Sequence, residues 1–110
     1  MTLSDAQQQV DKWIKQYGVR YFSELTNLAL LMEETGELAR IMARRFGEQS
    51  AKPEEANTDM ADEMADILFV LICLANQTGV DLQQAFTENL EKKSNRDKTR
   101  HFTNPKLKKE

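Results

Sequence analysis

Residues 62–76 read DEMADILFVLICLAN, and they contain the longest apolar run of the chain. Every residue from 67 to 75 is apolar, so a helix there is hydrophobic around its whole circumference. A helix of this kind is central and buried on several sides. Glu63 and Asp66 precede the run and are three residues apart, which puts both carboxylates on one helical face. The stretch therefore predicts a central helix with a carboxylate pair near its start.

A second carboxylate pair stands in the stretch EETGE, residues 33–37. Glu34 and Glu37 share a helical stripe with Leu30 and Ile41, so the two acids interrupt an otherwise apolar face. Four carboxylates on two packed helices would repel one another, and a cation is the expected neutraliser. Either pair alone is more typical of a solvated helix face, where acids are common near N-terminal ends. The apolar surroundings of both pairs together favour a metal site.

The remaining sequence predicts an all-α fold of four helices joined by short connections. Glycine is scarce, both prolines fall in polar stretches, and no segment alternates with period two for long. The first helix is predicted to begin at a capping box of Ser4 and Gln7 and to end at Gly18, and the second to begin at Ser23 and to end at Gly47. A polar loop is expected after the second helix. The third helix is predicted to begin near Ala56 or Thr58 and to end at Gly79, and the fourth to begin at Asp81. Residues 1–100 are expected to form one domain. Chain fraying is expected from residue 95, with residues 101–110 as a flexible basic tail.

The charge is unevenly distributed along the chain. Residues 91–110 carry eight Lys or Arg against three acids, net +5, whereas the first ninety carry seven against fifteen, net −8. The overall charge of −3 argues against a general nucleic-acid binder and against a protein that coats anionic membranes. Lys92 and Arg96 are four residues apart on the fourth helix, a spacing that suits gripping the distal phosphates of a nucleotide. The alternative for each residue is a solvated basic C-terminus that complements the helix dipole.

The ligand types narrow the choice of cation. An oxygen-only site without a nearby histidine selects a hard divalent cation, with Mg²⁺ the abundant choice, Mn²⁺ a substitute and zinc disfavoured. His101 is the only histidine and lies in the tail, so a ferritin-like di-iron bundle lacks its Glu-x-x-His ligands. Mg²⁺ held by a few carboxylates keeps positions open for substrate phosphates, which indicates phosphate or nucleotide chemistry.

Cysteine usage and the first residues bear on the cellular setting. Cys73 is the single cysteine, lies within the apolar run and has no partner for an internal disulfide, which favours a reducing, cytoplasmic setting. The start MTLSDAQQQ lacks the basic and apolar regions of a signal peptide, and the charge-free residues 67–80 are too few to span a bilayer. We expect a soluble cytoplasmic protein without a membrane or nucleic-acid partner.

The order of the acidic motifs carries a resemblance to a known family. E-E-x-x-E at residues 33–37 followed by E-x-x-D at residues 63–66 resembles the all-α nucleoside triphosphate pyrophosphohydrolase superfamily, and within it the MazG-like proteins. The likeness extends to Tyr21 and Phe22 ahead of the second helix, to GEL at residues 36–38, to the run DILFVLICLAN and to the basic stretch NRDK. It covers nearly the whole chain and implies a compact, single-domain protein with a four-helix bundle-like MazG-type fold.

The resemblance also implies an activity and its residues. MazG-like proteins hydrolyse nucleoside triphosphates, standard or damaged, between the α and β phosphates, which serves nucleotide-pool housekeeping. Glu33 is an implied catalytic residue whose role stays open between orienting water, acting as a base and capping the metal shell. The implied Mg²⁺ ligands and catalytic acids are Glu34, Glu37, Glu63 and Asp66, and the implied substrate contacts are Lys92, Lys93, Asn95, Arg96, Tyr21 and Phe22.

The implied substrate contacts come with alternatives. Tyr21 and Phe22 either stack on the base or simply pack in the core. Lys93 stands where some relatives have asparagine after the lysine, and Asn95 follows two positions later, so the base and the exact phosphate contacts stay open.

Two further expectations complete the interpretation. Helices that are apolar almost all round leave surface that one subunit cannot cover, so self-association is expected, and the resemblance implies a homodimer or homotetramer with sites near subunit contacts. Two other functions remain open: phosphoribosyl-ATP pyrophosphohydrolase activity within the same superfamily, and a non-catalytic helical interaction module.

Overall fold

The computed structural model describes residues 1–50 and 59–108, and this part of the chain contains four α-helices and no strand. The helices are α1 (Leu3–Trp13), α2 (Glu24–Phe46), α3 (Met60–Thr78) and α4 (Leu82–Asp97), followed by a 3₁₀ turn at Pro105–Lys108. The all-α prediction is therefore confirmed. The polar loop predicted after α2, and the third-helix start at Ala56 or Thr58, fall on residues outside the described part.

Helices α2 and α3 form the centre of the fold, and they pack antiparallel. The Asn27 amide near the start of α2 donates to the Gln77 amide near the end of α3, over 2.8 Å. Helix α1 lies against α3, and α4 lies mainly against α1. The core is small, with Ile14, Val70, Ile72, Cys73 and Ala75 as its buried apolar residues. The apolar run of α3 thus supplies most of the core, as its composition predicts.

Helix α4 departs from the expected bundle. It is bent by 104° from α3, because Gly79 ends α3 in the left-handed conformation and Asp81 caps α4 two residues later. A short connection with a positive φ turns the chain sharply and leaves α4 beside α1 rather than along α3. The Cα radius of gyration is 18.0 Å, whereas a compact chain of this length has about 13 Å. The single chain is therefore an open arrangement of helices.

No single helix in the described residues is long and apolar enough to cross a membrane. Helices α3 and α4 meet such a test of length and composition only as a bent pair.

The first helix begins two residues before its predicted capping box. Thr2 is the N-cap, and its hydroxyl accepts from Asp5 N–H while the Asp5 carboxylate accepts from Thr2 N–H. The predicted pair, Ser4 and Gln7, is committed to tertiary contacts instead. Ser4 N–H donates to Gln83, and Gln7 Nε2 donates to the Val80 carbonyl. The prediction of a capping box at Ser4 was wrong. The Thr2–Asp5 and Ser4–Gln7 motifs overlap in the sequence, and the contacts of Ser4 and Gln7 with the α3–α4 connection and α4 leave Thr2 as the N-cap.

The end of α4 also differs from expectation. The helix continues through Asp97, whose carboxylate accepts two hydrogen bonds from the Arg96 guanidinium and one from Arg100. Fraying from residue 95 was therefore wrong. The caps predicted at Ser23 and Asp81, and the stops at Gly47 and Gly79, are confirmed.

A strained turn connects α1 to α2. After Trp13 the chain winds through one π-helical turn, Ile14–Gly18, and then Val19 adopts φ 70° and ψ −59°. Arg20 N–H donates to the Gly18 carbonyl over 2.8 Å, which closes a γ-turn around Val19. A γ-turn with positive φ is strained for a β-branched residue. The turn delivers Arg20, Tyr21 and Phe22 to the start of α2.

We expect Val19→Gly to stabilise the protein. Relief of backbone strain contributes about 1–3 kcal/mol, and the greater unfolded-state entropy of glycine costs about 0.5–1 kcal/mol, so the net gain is about 1 kcal/mol. Thermal and urea unfolding measure it. Val80→Gly is the matched control, since Val80 lacks a positive φ and should lose stability. Destabilisation by both substitutions to a similar extent would contradict strain at Val19.

Candidate metal centre

Three carboxylates from the two central helices converge. Oxygen atoms of Glu34, Glu37 and Glu63 lie within 4.8 Å of one another, and all three side chains are half-buried. Glu34 and Glu37 are one helical turn apart on α2, and Glu63 faces them from the first turn of α3. The antiparallel packing of α2 on α3 therefore brings the two predicted acidic pairs together.

Two oxygen atoms of the cluster have no hydrogen-bond donor within the described residues. Glu34 Oε2 and Glu63 Oε2 are buried oxygens without a hydrogen-bond partner there. Burial raises the pKa of Glu34 above its ordinary value, and the charges of Glu37, Asp66, Glu63 and Glu33 raise it further. Burial likewise raises the pKa of Glu63, with added contributions from Glu37 and Asp66. Ionised carboxylates are thus destabilised here, and a cation would remove that cost.

The donor set fits a hard divalent cation. All candidate ligands are carboxylate oxygens, which magnesium, manganese and calcium prefer, and no histidine belongs to the cluster. Buried acceptor oxygens without donors are what a bound cation would satisfy. Glu34, Glu37 and Glu63 are therefore the residues that could hold a metal.

The other two predicted acids lie at the edge of this cluster. Asp66 is half-buried, one turn after Glu63, and its charge raises the pKa of both Glu34 and Glu63. It stands outside the three-residue group whose oxygens converge. Glu33 is exposed, and its charge acts on Glu34 from the adjacent position.

A partly open cavity of about 290 Å³ lies on the helix faces that carry the acidic cluster, although the acids themselves do not line it. Leu30, one turn before Glu34, lines it from α2, and Phe69 and Val70 line it from α3, one turn after Asp66. Tyr21 and Phe22, the residues implied as substrate contacts, line it from the segment that follows the strained turn. The cavity thus lies between the acids and the end of α3.

The aromatic residues around this cavity are held in different ways. Tyr21 O–H donates to Asp11 over 2.7 Å and accepts from Asn76, and burial with the Asp11 bond raises the pKa of Tyr21 to about 12. Phe22 is 59% exposed, so its ring is available at the cavity rim. Trp13 is 49% exposed, and its ring meets that of Phe69 edge-on, with the ring centroids 5.6 Å apart.

The predicted phosphate contacts are not brought to the acids within one chain. Lys92, Lys93, Asn95 and Arg96 are exposed on the second half of α4, whose main contact is with α1. Lys93 and Asn95 line shallow surface hollows that contain none of the acidic cluster. Arg96 pairs with Asp97 at 2.7 Å.

Sequence reasoning missed two amides at the far end of the cavity. Asn27 is 4% exposed, the most buried polar residue of the described chain, and it contacts Gln77 of α3. A signal existed, since Asn27 continues the stripe of Leu30, Glu34 and Glu37 by one turn.

Comparisons with known proteins show which proteins the chain resembles. The family described as the MazG nucleotide pyrophosphohydrolase domain matches residues 22–101. The chain is 43% identical to YpjD of Bacillus subtilis (strain 168) over 99 residues, which is 90% of this chain and 89% of YpjD. It is 30% identical to YvdC of the same organism over 106 residues, covering 87% of this chain and 96% of YvdC.

Solved structures show the same fold. The crystal structure of YPJD from Bacillus subtilis aligns with a TM-score of 0.74 at 41% identity, covering 84% of this chain and 92% of that one. A Bacillus-conserved MazG protein, described as a nucleotide pyrophosphohydrolase, aligns with a TM-score of 0.70 at 38% identity, covering 84% and 88%.

We expect Glu34→Gln to stabilise the metal-free protein at pH 7 and to weaken Mg²⁺ binding more than about tenfold. Because the pKa of Glu34 is raised on folding, metal-free stability falls as pH rises from the unfolded value of about 4.3 through the folded one. The amide removes this loss, so the stability gap between variant and wild type should close toward pH 4. Thermal unfolding in chelator measures stability, and calorimetry measures Mg²⁺ affinity.

Glu88→Gln is the matched control, since Glu88 is exposed on α4 and accepts from Gln84. It should change neither quantity. Unchanged Mg²⁺ affinity in Glu34→Gln would remove Glu34 from the metal site.

Proposed function

The chain belongs to the MazG nucleotide pyrophosphohydrolase family, and from that premise we propose that it hydrolyses a nucleoside triphosphate to the monophosphate and pyrophosphate. Cleavage falls between the α and β phosphates, and it depends on Mg²⁺, with Mn²⁺ as a substitute. The single observation that supports this most is the convergence of Glu34, Glu37 and Glu63 on the same helix pair as a partly open, aromatic-lined cavity. A metal-bound phosphate and a base could occupy these two places together.

The acids carry the phosphate chemistry. Glu34, Glu37 and Glu63 hold the metal, with Asp66 as a fourth ligand from the next turn of α3. A cation held there would neutralise charge on the α-phosphate and would lower the pKa of the attacking water. Glu33 lies outside the buried cluster and is exposed, a position suited to orienting the attacking water or accepting its proton.

The cavity holds the base. Phe22 is exposed at the rim and offers a stacking face, while Tyr21 is fixed by hydrogen bonds to Asp11 and Asn76. A ring held at both sides of its hydroxyl keeps one orientation, so Tyr21 can serve as a rigid wall for a base.

The distal phosphates need positive charge that the acidic cluster cannot supply. Lys92, Lys93, Asn95 and Arg96 are the proposed contacts, and their distance from the acids in one chain favours delivery by another subunit. Nucleotide-pool housekeeping in the cytoplasm is the cellular role we propose for this chemistry.

Helix α2 supports the proposed assembly. Its exposed apolar side chains recur at alternating spacings of three and four residues, which is the seam of a helix that pairs with another. The seam is formed by Leu25, Leu28, Met32, Met42 and Phe46, with Thr35 and Ala39 between them. We propose that two copies pair along this seam, in a homodimer or as half of a homotetramer.

We expect Glu37→Gln and Asp66→Asn each to lower kcat/KM at least about 100-fold with little change in helix content, because each removes a metal-binding charge. Product analysis with a panel of nucleotides, including phosphoribosyl-ATP, measures turnover and identifies the bond that is cleaved. Glu88→Gln should retain full activity.

Release of diphosphate and orthophosphate, or no turnover of any nucleotide, would contradict the proposed reaction. Wild-type turnover by Asp66→Asn would show that Asp66 is not a metal ligand and that the site has three protein ligands rather than four.

We expect the wild-type protein to sediment as a multiple of its 12.7 kDa chain, and Met32→Glu to sediment as one chain. A charge at the middle of an apolar seam must be buried without a partner for the pair to form. Gln8→Glu is the matched control, because Gln8 is exposed on α1, outside the seam. A monomeric wild type would overturn the pairing.

A further inference from the structure

The cavity beside the acids has an almost wholly apolar wall. Its lining includes Leu30, Phe69, Val70 and Cys73, and the polar side chains that reach it are few. Asn27 is the buried one, with 4% of its surface exposed. A polar atom in such a wall constrains which ligand group can face it, because the surrounding apolar side chains offer no other hydrogen-bond partner.

The orientation of the Asn27 amide follows from its neighbours. The Phe22 carbonyl can only accept, and Gln77 Nε2 donates to it. Gln77 Oε1 must therefore face Asn27, where it accepts from Nδ2 over 2.8 Å. Nδ2 also lies 3.5 Å from the Phe22 carbonyl. Both amino hydrogens of Asn27 are thus directed to fixed acceptors.

These hydrogen bonds leave the Asn27 side-chain oxygen, Oδ1, without a donor. Within the described residues no donor reaches Asn27 Oδ1, although the side chain is more than nine-tenths buried and lines the cavity. The pocket therefore presents a hydrogen-bond acceptor whose direction the protein has already fixed.

Resting on the proposed function, we propose that Asn27 Oδ1 accepts a hydrogen bond from the exocyclic amino group of the base. The site then prefers the 4-aminopyrimidine edge that cytosine and adenine share over the oxo edge of uracil, thymine and hypoxanthine. An amino group donates to Oδ1, whereas an oxo group would bring two buried acceptors together. Gln77 is a positioning residue, because it acts through Asn27.

A uracil could instead turn its ring N–H toward Oδ1. The carbonyl oxygen beside that N–H would then lie close to Oδ1 and repel it, so this contact is weaker than the one that an amino group makes.

The position of Asn27 suits a base. Asn27 and Glu34 lie seven residues apart on one face of α2, about 10 Å along the helix axis. Leu30 stands between them and lines the cavity. A nucleoside spans such a gap between the edge of its base and its α-phosphate, so both contacts can form at once.

The test compares substrates that differ only at this group. Wild-type kcat/KM is measured for dCTP against dUTP and for ATP against inosine triphosphate. We expect the amino member of each pair to be favoured about tenfold or more, since a buried hydrogen bond left unmade has about that effect. The dCTP and ATP arms then show which of the two amino bases fits the cavity. Equal rates within both pairs would overturn the proposal.

Variants identify the residue responsible. Asn27→Ala should bring both amino-to-oxo ratios close to one, and Gln77→Ala should lower them, because Asn27 is then free to rotate. Asn89→Ala is the matched control, an amide on exposed α4, and should keep the wild-type ratios. If Asn27→Ala folds by circular dichroism and keeps the full ratios, Asn27 is not the reader. If it does not fold, the wild-type pairs still decide.

A binding measurement separates this proposal from the proposed reaction. The monophosphates dCMP and dUMP are titrated into Glu37→Gln protein by calorimetry, with no turnover required. Tighter binding of dCMP supports the amino preference even if no triphosphate is hydrolysed. Equal binding, together with hydrolysis that ignores the amino group, would remove the base preference and leave the pyrophosphohydrolase intact.

Discussion

The packing of α2 against α3 is the constraint on which the rest of the molecule depends. It brings Glu34, Glu37 and Glu63 within 4.8 Å of one another, against their mutual repulsion. Only an interface with other sources of stability can impose such an arrangement, and the apolar run of α3 supplies them through Val70 and Ile72. The core therefore stabilises the fold and also holds three carboxylates in an arrangement that is unfavourable without a cation. Stability and site are properties of one pair of helices.

The two ends of this helix pair differ in chemistry. Acids occupy one end, neutral amides occupy the other, and the cavity lies between them. Charge at one end suits phosphate and metal, and directed hydrogen bonds at the other suit a flat heterocycle. Within residues 1–50 and 59–108, the outer face of α2 and the basic half of α4 have no comparable partner. The proposed subunit pairing would give both of them a use.

Helix identity was predictable because it depends on local patterns. The caps at Ser23 and Asp81 and the left-handed Gly79 follow from side-chain chemistry over a few residues. The first capping box was not predictable, since Ser4 and Gln7 fit the motif as well as Thr2 and its partner do, and contacts with residues about 70 positions away decided between them. The convergence of the acids of α2 and α3 was predictable, because their helical spacing and the apolar residues around them indicate two packed helix faces.

The partners at the amide end of the cavity were not predictable, because the position of Asn27 on the stripe of Leu30 and Glu34 indicates burial but not which groups its amide contacts. The carbonyl of Phe22 fixes the direction of the Gln77 and Asn27 amides. A backbone carbonyl is present whichever residue occupies position 22, so mutation cannot reverse its polarity. If Asn27 and Gln77 were replaced by other amide side chains, the Phe22 carbonyl would still be the acceptor that orients them. A pocket that prefers the opposite edge of a base would therefore need a different path of the main chain, and single codon changes rarely provide that. Loss of the proposed preference would need only the replacement of Asn27, whereas its reversal would need that different path of the main chain.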